Sequence, residues 1–130
     1  MIKITVGLPM FETCRIGWLS LESLCRQRHV SVGWELIVAE EQNNYKMGKE
    51  AIQSYESRLK SVGCEKITYI PLKEWIPLSN KWVLIAKEAD PNSVCFILQA
   101  ADCYSQPLRL QESYHFLVKK NNQWISSQVG

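Results

Sequence analysis

The sequence predicts an α/β domain of three layers, with a mostly parallel sheet held between helices. Three observations predict it. Short runs of apolar and β-branched residues alternate with segments of helical periodicity from end to end. The runs are apolar at successive positions, so both faces of each strand need cover, which is the situation in a parallel sheet flanked by helices. No repeat, low-complexity tract or linker-like stretch interrupts the pattern, so residues 1–130 read as one domain.

The elements follow in order. "KITVGLP" (3–9) is rich in β-branched residues and closes on Pro9, which makes it a first strand. Leu21, Leu24 and Cys25, with Trp18 one turn earlier, mark the apolar face of a helix ending near Gln27 to His29. "WELIVA" (34–39) is the second strand. Ile52, Tyr55, Leu59 and Val62 then recur at helical spacing, and Gly63 supplies the stop. "KITYIP" (66–71) is a third strand, again closed by proline. Ser79 is placed to cap a helix whose stripe is Trp82, Ile85, Ala86 and Ala89. "CFIL" (95–98) is the fourth strand. Ser105 offers an N-cap with Pro107 in the first turn of a helix carrying Leu110, Tyr114 and Leu117. "QWISSQ" (123–128) is expected as a short fifth strand.

Composition removes several function classes. A chain of 130 residues with 46% apolar and 22% charged residues can bury a real core and is not expected to be disordered. Fifteen basic against thirteen acidic residues leave a net charge of +2, too small and too evenly spread to predict a nucleic-acid or anionic-membrane partner. Five cysteines without a C-x-x-C pair, and only two histidines, give no zinc spacing. They fit a reducing compartment, so a cytoplasmic protein is expected. No apolar run reaches membrane-spanning length, and the first residues lack a signal-peptide profile.

In an open parallel sheet, ligands sit beyond the carboxyl ends of the strands. That rule selects Pro9 to Glu12, Glu40 to Asn44 and Gln99 to Tyr104. No G-x-G-x-x-G follows the first strand, no P-loop sequence occurs, and the nucleophile elbow G-x-S-x-G is absent. Phosphates at these tips would therefore need a metal or basic side chains rather than a glycine cradle.

"ITVGLPMFET", "SLESLCRQ" and "WELIVAEEQNN" together resemble the opening of family-2 glycosyltransferases. Those enzymes have the Rossmann-like nucleotide-diphospho-sugar transferase (GT-A) fold. Ser23-Leu24-Cys25-Arg26-Gln27 matches the family's Ser-Leu-x-x-Gln helix, and Glu40-Glu41-Gln42-Asn43 stands at its Asp-Asp-Gly-Ser position. "KWVLIAKEADPNSVCFILQAADCYS" resembles the helix and strand leading to the Asp-x-Asp metal motif, with Lys81 and Trp82 matching and Val83 in place of Asn.

The resemblance spans residues 2–128, the nucleotide-binding half of a typical member, and implies transfer of a sugar from a nucleotide-diphosphate donor to an acceptor hydroxyl. It implies that Pro9, Met10 and Phe11 line the base pocket and that Glu40 accepts from the base or ribose. Lys81 would neutralise phosphate, and Asp102 would reach a Mn²⁺ or Mg²⁺ bridging the diphosphate. Such an ion needs only one or two protein carboxylates, because phosphates and waters complete its shell.

The sequence departs from the family where charge is most needed. Gln99, Ala100 and Ala101 leave Asp102 as the only acid of the metal motif. The region that would supply the acceptor site and the catalytic base is expected beyond this stretch, so no residue is nominated as base. A further domain of a longer protein, or a homo-oligomer, is left open as partner. The alternative is a non-catalytic binding or assembly module that keeps the fold with a degraded metal motif. Asp102 then only starts the turn toward Ser105. Glu41 is expected to be exposed, Trp18, Trp34 and Trp82 to be core, and Cys103 to be a packed thiol.

Overall fold

A computed structural model describes residues 1–119 of the chain. The expected fifth strand at 123–128 lies outside the described residues. Four strands form one sheet: β1 (Ile2–Met10), β2 (Gly33–Glu41), β3 (Cys64–Leu72) and β4 (Cys95–Leu98). Their order is β3-β2-β1-β4 and every pairing is parallel. The helices are α1 (Gly17–Cys25), α2 (Lys49–Gln53), α3 (Glu56–Ser61), α4 (Leu78–Glu88) and α5 (Arg109–Lys119).

Alternation along β1 explains the layers. Ile4, Val6, Leu8 and Met10 point to one face, where they join Leu21, Leu24 and Cys25 of α1, Ile52, Leu59 and Leu110 in the main core. The intervening residues face α4, where Ile37, Ala39 and Ile85 form a smaller core with Trp82 and Phe96 packed against it. Gly7 lets α4 approach: a Cβ there would stand 3.0 Å from Ile85 Cγ2 and 3.1 Å from Trp82 Cζ3. Both sheet faces are thus covered, as the unbroken apolar runs required.

Several local expectations are corrected. The helical stripe from Ile52 to Val62 is two short helices, broken at Ser54 and Tyr55. Gly63 does end the second, at φ +100°, with its N–H donated to Lys60 O. Ser79 does not cap α4, which starts at Leu78 behind Pro77 with no side-chain cap; Pro77 leaves it no free N–H to satisfy at that position. Ser105 does not cap α5, because the helix starts only at Arg109; the Ser105 hydroxyl instead donates to Gln99 Oε1. Trp34 is buried as expected, but Trp18 is 51% exposed, its indole N–H donated to Arg15 O at 3.0 Å. The stripe on α4 is narrower than expected, with Ile85 buried and Ala86 exposed. Cys103 is exposed rather than packed.

Candidate functional site

The parallel order places the carboxyl ends of all four strands on one edge, and the direction in which successive strands are added to the sheet switches between β1 and β4. On this edge β1 ends at Met10-Phe11, β2 at Glu40-Glu41 and β4 just before Gln99. Beyond Phe11, Glu12 turns the chain with φ +54°, a left-handed conformation uncommon for a residue with a side chain.

Glu40 and Glu41 follow one another on a strand, so their side chains leave opposite faces of the sheet. Both faces are covered, and both carboxylates are buried. Glu41 was expected to be exposed; it is 3% exposed because α4 lies over that face. Its Oε1 is 2.7 Å from Lys81 Nζ, an ion pair between two side chains that are each about 95% buried. Glu41 Oε2 accepts the Ile76 N–H at 3.4 Å. The Lys81 ammonium also lies 3.5 Å from Met10 O and 5.4 Å from the centre of the Phe11 ring. Met10, Phe11, Glu41, Ile76 and Lys81 therefore form one contact chain joining β1, β2, the β3–α4 loop and α4. The positive charge expected to meet phosphate is already matched inside the protein.

Glu40 is on the other side of the sheet. Its Oε2 accepts the Met47 N–H at 2.7 Å, and its Oε1 accepts the Gly48 N–H at 2.9 Å and the Tyr69 hydroxyl at 2.7 Å. Those bonds hold the loop between β2 and α2, where Gly48 takes φ +92°. The Tyr69 oxygen in turn accepts from Gln42 Nε2 at 2.8 Å. Burial, opposed by the Gln42 bond and reinforced by Glu40, pushes the Tyr69 phenol up to about 12.

Pro9 and Met10 are buried, and Phe11 is 44% exposed at the mouth of the edge. Asp102 is exposed in the loop after β4, and no hydrogen bond or ion pair among the described residues joins it to Glu40, Glu41 or Lys81. The organiser of that loop is Gln99, fully buried. Its Nε2 donates to Ala100 O at 3.1 Å and Cys103 O at 2.8 Å. Its Oε1 accepts from the Ser105 hydroxyl and from Arg109 Nη1. Arg109 Nη2 also donates to Leu98 O at 2.9 Å. The position that resembles the first acid of a metal motif is thus occupied by the hub of the loop's own hydrogen bonds.

Whether a divalent ion fits can be judged from these donors. Gln99 is fully engaged, Ala100 and Ala101 offer no side-chain ligand, and Asp102 supplies one carboxylate. No group of three or more His, Cys, Asp or Glu residues able to hold a metal occurs among the described residues. The protein alone offers a single anchoring ligand rather than a cage.

Gln27, the last residue of the Ser-Leu-x-x-Gln stretch, is a structural joint. Its Nε2 donates to Ser23 O and Gln106 O, and its Oε1 accepts the Leu110 N–H at 3.1 Å. It therefore satisfies a free amide in the first turn of α5 and fixes that helix to α1. Tyr69 was not singled out from the sequence, and Gln99 was read as a lost position of the metal motif rather than as the hub of the loop. A polar residue directly after an apolar strand was the available signal for Gln99.

No family model matches the chain, and no curated protein does. Solved structures do. TarS from S. aureus aligns with TM-score 0.74 and 15% identity, over 92% of this chain and 20% of that one. TarS 1–349 in complex with UDP gives 0.74 and 14%, covering 92% and 33%. TarS 1–349 in complex with UDP-GlcNAc gives 0.74 and 16%, covering 92% and 32%. This chain spans a fifth to a third of those structures, and at such identity the likeness establishes the fold: the GT-A glycosyltransferase type. Among the described residues no helix is long and apolar enough to cross a membrane.

Proposed function

We propose that the chain is the donor-binding half of a glycosyltransferase, which takes a nucleotide-diphosphate sugar at the carboxyl edge and transfers the sugar to an acceptor hydroxyl. The observation that carries this reading is the convergence of Met10-Phe11, Glu40-Glu41 and Asp102 on one edge of a parallel sheet, across its switch point. The likeness to structures holding UDP and UDP-GlcNAc supports it.

In this reading Pro9 and Met10 shape the floor of the base pocket and Phe11 gives it a ring. Glu40 accepts three bonds from within and is fully buried, so it meets a base or ribose donor only where the β2–α2 loop that it holds opens. Lys81 holds Phe11 and the Met10 carbonyl in place, and it reaches phosphate only by leaving Glu41. A Mn²⁺ or Mg²⁺, if bound, would take Asp102 as its protein carboxylate and would supply positive charge against the departing diphosphate. The acceptor and the base that activates it are assigned to no residue described here.

A second reading, a binding or assembly module without catalysis, is favoured by one observation. Gln99, Ala100 and Ala101 leave Asp102 as the only carboxylate in the loop, and Gln99 is committed to that loop's fold. Titration of nucleoside diphosphates and their sugars, with and without Mn²⁺, separates the two. Metal-dependent binding that disappears in Asp102→Ala supports the transferase. A folded chain that binds no nucleotide overturns donor binding and leaves the module.

A further inference from the structure

The opposite edge of the sheet, where the strands begin, carries a cavity that donor binding does not use. It lies between the end of α4 and the start of β4, with a volume of about 330 Å³, at the small end of ligand pockets. Ala86, Ala89, Pro91, Val94 and Phe96 give it apolar walls, and Asp90 and Ser93 add a carboxylate and a hydroxyl. None of the residues lining it is basic.

One hydrogen bond behind this wall lies Glu35, fully buried on β2. Glu35 Oε2 accepts the Asp90 N–H at 2.6 Å and the Thr5 hydroxyl at 2.8 Å. Thr5 Oγ1 is in turn 2.8 Å from Ser93 Oγ, so both polar wall residues are wired to one carboxylate. Glu35 Oε1 has no hydrogen-bond partner, and no ion pair among the described residues engages Glu35 or Asp90. A carboxylate taken out of water without a cation carries a desolvation cost that two hydrogen bonds offset only in part.

We propose that this cavity binds a small organic ammonium, with its apolar body against Val94 and Phe96 and its charged head at Asp90. The head would donate to the Asp90 carboxylate and the Ser93 hydroxyl. Glu35, just inside, adds a second negative charge across a wall that screens poorly. An anionic ligand would meet two like charges there, and a neutral one would leave both unmatched. The site is independent of donor binding, since it lies at the other end of the strands.

The test titrates the intact chain with 2-phenylethylammonium and with its neutral counterpart 2-phenylethanol, by calorimetry. The ammonium is expected to bind saturably and at least about tenfold more tightly than the alcohol, the scale of one hydrogen bond to a charged group. Asp90→Asn should remove that preference while keeping an oxygen for the Asn92 N–H, so the thermal midpoint should stay in place. Glu35→Gln should weaken the ammonium and leave the alcohol unchanged; if that variant does not fold, Asp90→Asn still decides. Equal affinity for ammonium and alcohol overturns the proposal, because the cavity would then select only for apolar bulk. An ammonium affinity unchanged in Asp90→Asn overturns it as well, and so does a wild-type chain that binds neither probe.

Discussion

Glu41 and Lys81 lie forty residues apart in sequence and meet as an ion pair 2.7 Å long, both side chains about 95% buried. Charges so placed have lost most of their hydration, and each depends on the other to offset that cost. Removing one partner leaves the second buried without compensation. Glu41→Gln or Lys81→Met is therefore expected to cost about 3–5 kcal/mol in denaturant unfolding. The double replacement Glu41→Leu with Lys81→Met should recover most of it, since no charge is then stranded. Single and double variants of equal stability would show that the pair is not coupled.

Glu40 is expected to behave differently, because its partners are neutral donors. Glu40→Ala frees two backbone amides and a phenol at once, and a cost of at least about 2–3 kcal/mol follows. Tyr69→Phe removes one of the three bonds and should cost about 1 kcal/mol. The β2–α2 loop is held by the other two, so amide exchange at Met47 and Gly48 should rise in Glu40→Ala and stay slow in Tyr69→Phe.

These two residues show what the sequence discloses and what it does not. The four strands were legible because runs apolar on both faces have few alternatives to a covered parallel sheet. The edge that could bind a ligand was legible for the same reason. The burial of Glu41 was not, because it depends on which helix covers the second face at that point. Its partner sits in α4, and no local pattern links the two. Lys81 looked like a free phosphate-binding charge until its distance to Glu41 was known. The loop after β4 was misread in a different way: Ser105 suits an N-cap, but the helix begins only at Arg109, and the Ser105 hydroxyl donates to Gln99 Oε1 within the loop.

Gly7 is the point of closest approach between β1 and α4, and its replacement tests that packing. In Gly7→Ala the new methyl would meet Ile85 Cγ2 at 3.0 Å, Trp82 Cζ3 at 3.1 Å and Phe96 Cε1 at 3.4 Å. Ile85 is fully buried and has nowhere to retreat. A loss of about 1–3 kcal/mol is expected from overpacking. The paired change Gly7→Ala with Ile85→Val should restore part of it, measured by thermal unfolding.

Two buried thiols predict an alkaline weakening of the fold. Burial pushes Cys64 up to about 12 and Cys95 up to about 11. An unfolded thiol ionises near 8.5, so as pH rises the unfolded chain loses its protons first. The stability tied to these groups is whole below that value and is lost as pH climbs toward the folded ones. Between pH 8 and 10.5 the loss should reach about 2 kcal/mol per thiol. Cys64→Ala and Cys95→Ala should each flatten the pH profile of unfolding. Profiles parallel to the wild type would mean that the thiols do not report their burial.

The loop after β4 offers the sharpest separation of folding from function, because Gln99 and Asp102 sit three residues apart with opposite environments. The Gln99 side chain is fully buried and makes four hydrogen bonds; Asp102 is exposed, and among the described residues its carboxylate takes only a 3.6 Å approach from Cys103 Sγ as a side-chain hydrogen bond. Gln99→Leu strands the Ser105 hydroxyl, part of the Arg109 guanidinium and two carbonyls, and should cost about 1–3 kcal/mol. Asp102→Ala should change stability by no more than about 0.5 kcal/mol. If Asp102 anchors a divalent ion on the diphosphate, its loss should remove the Mn²⁺ dependence of nucleotide binding without touching the melt. If it only begins a turn, Asp102→Asn should preserve both the melt and the binding, since asparagine serves a turn as well as aspartate does. Binding measured with and without Mn²⁺ on Asp102→Asn therefore decides between the two, because asparagine keeps the turn and removes the negative charge.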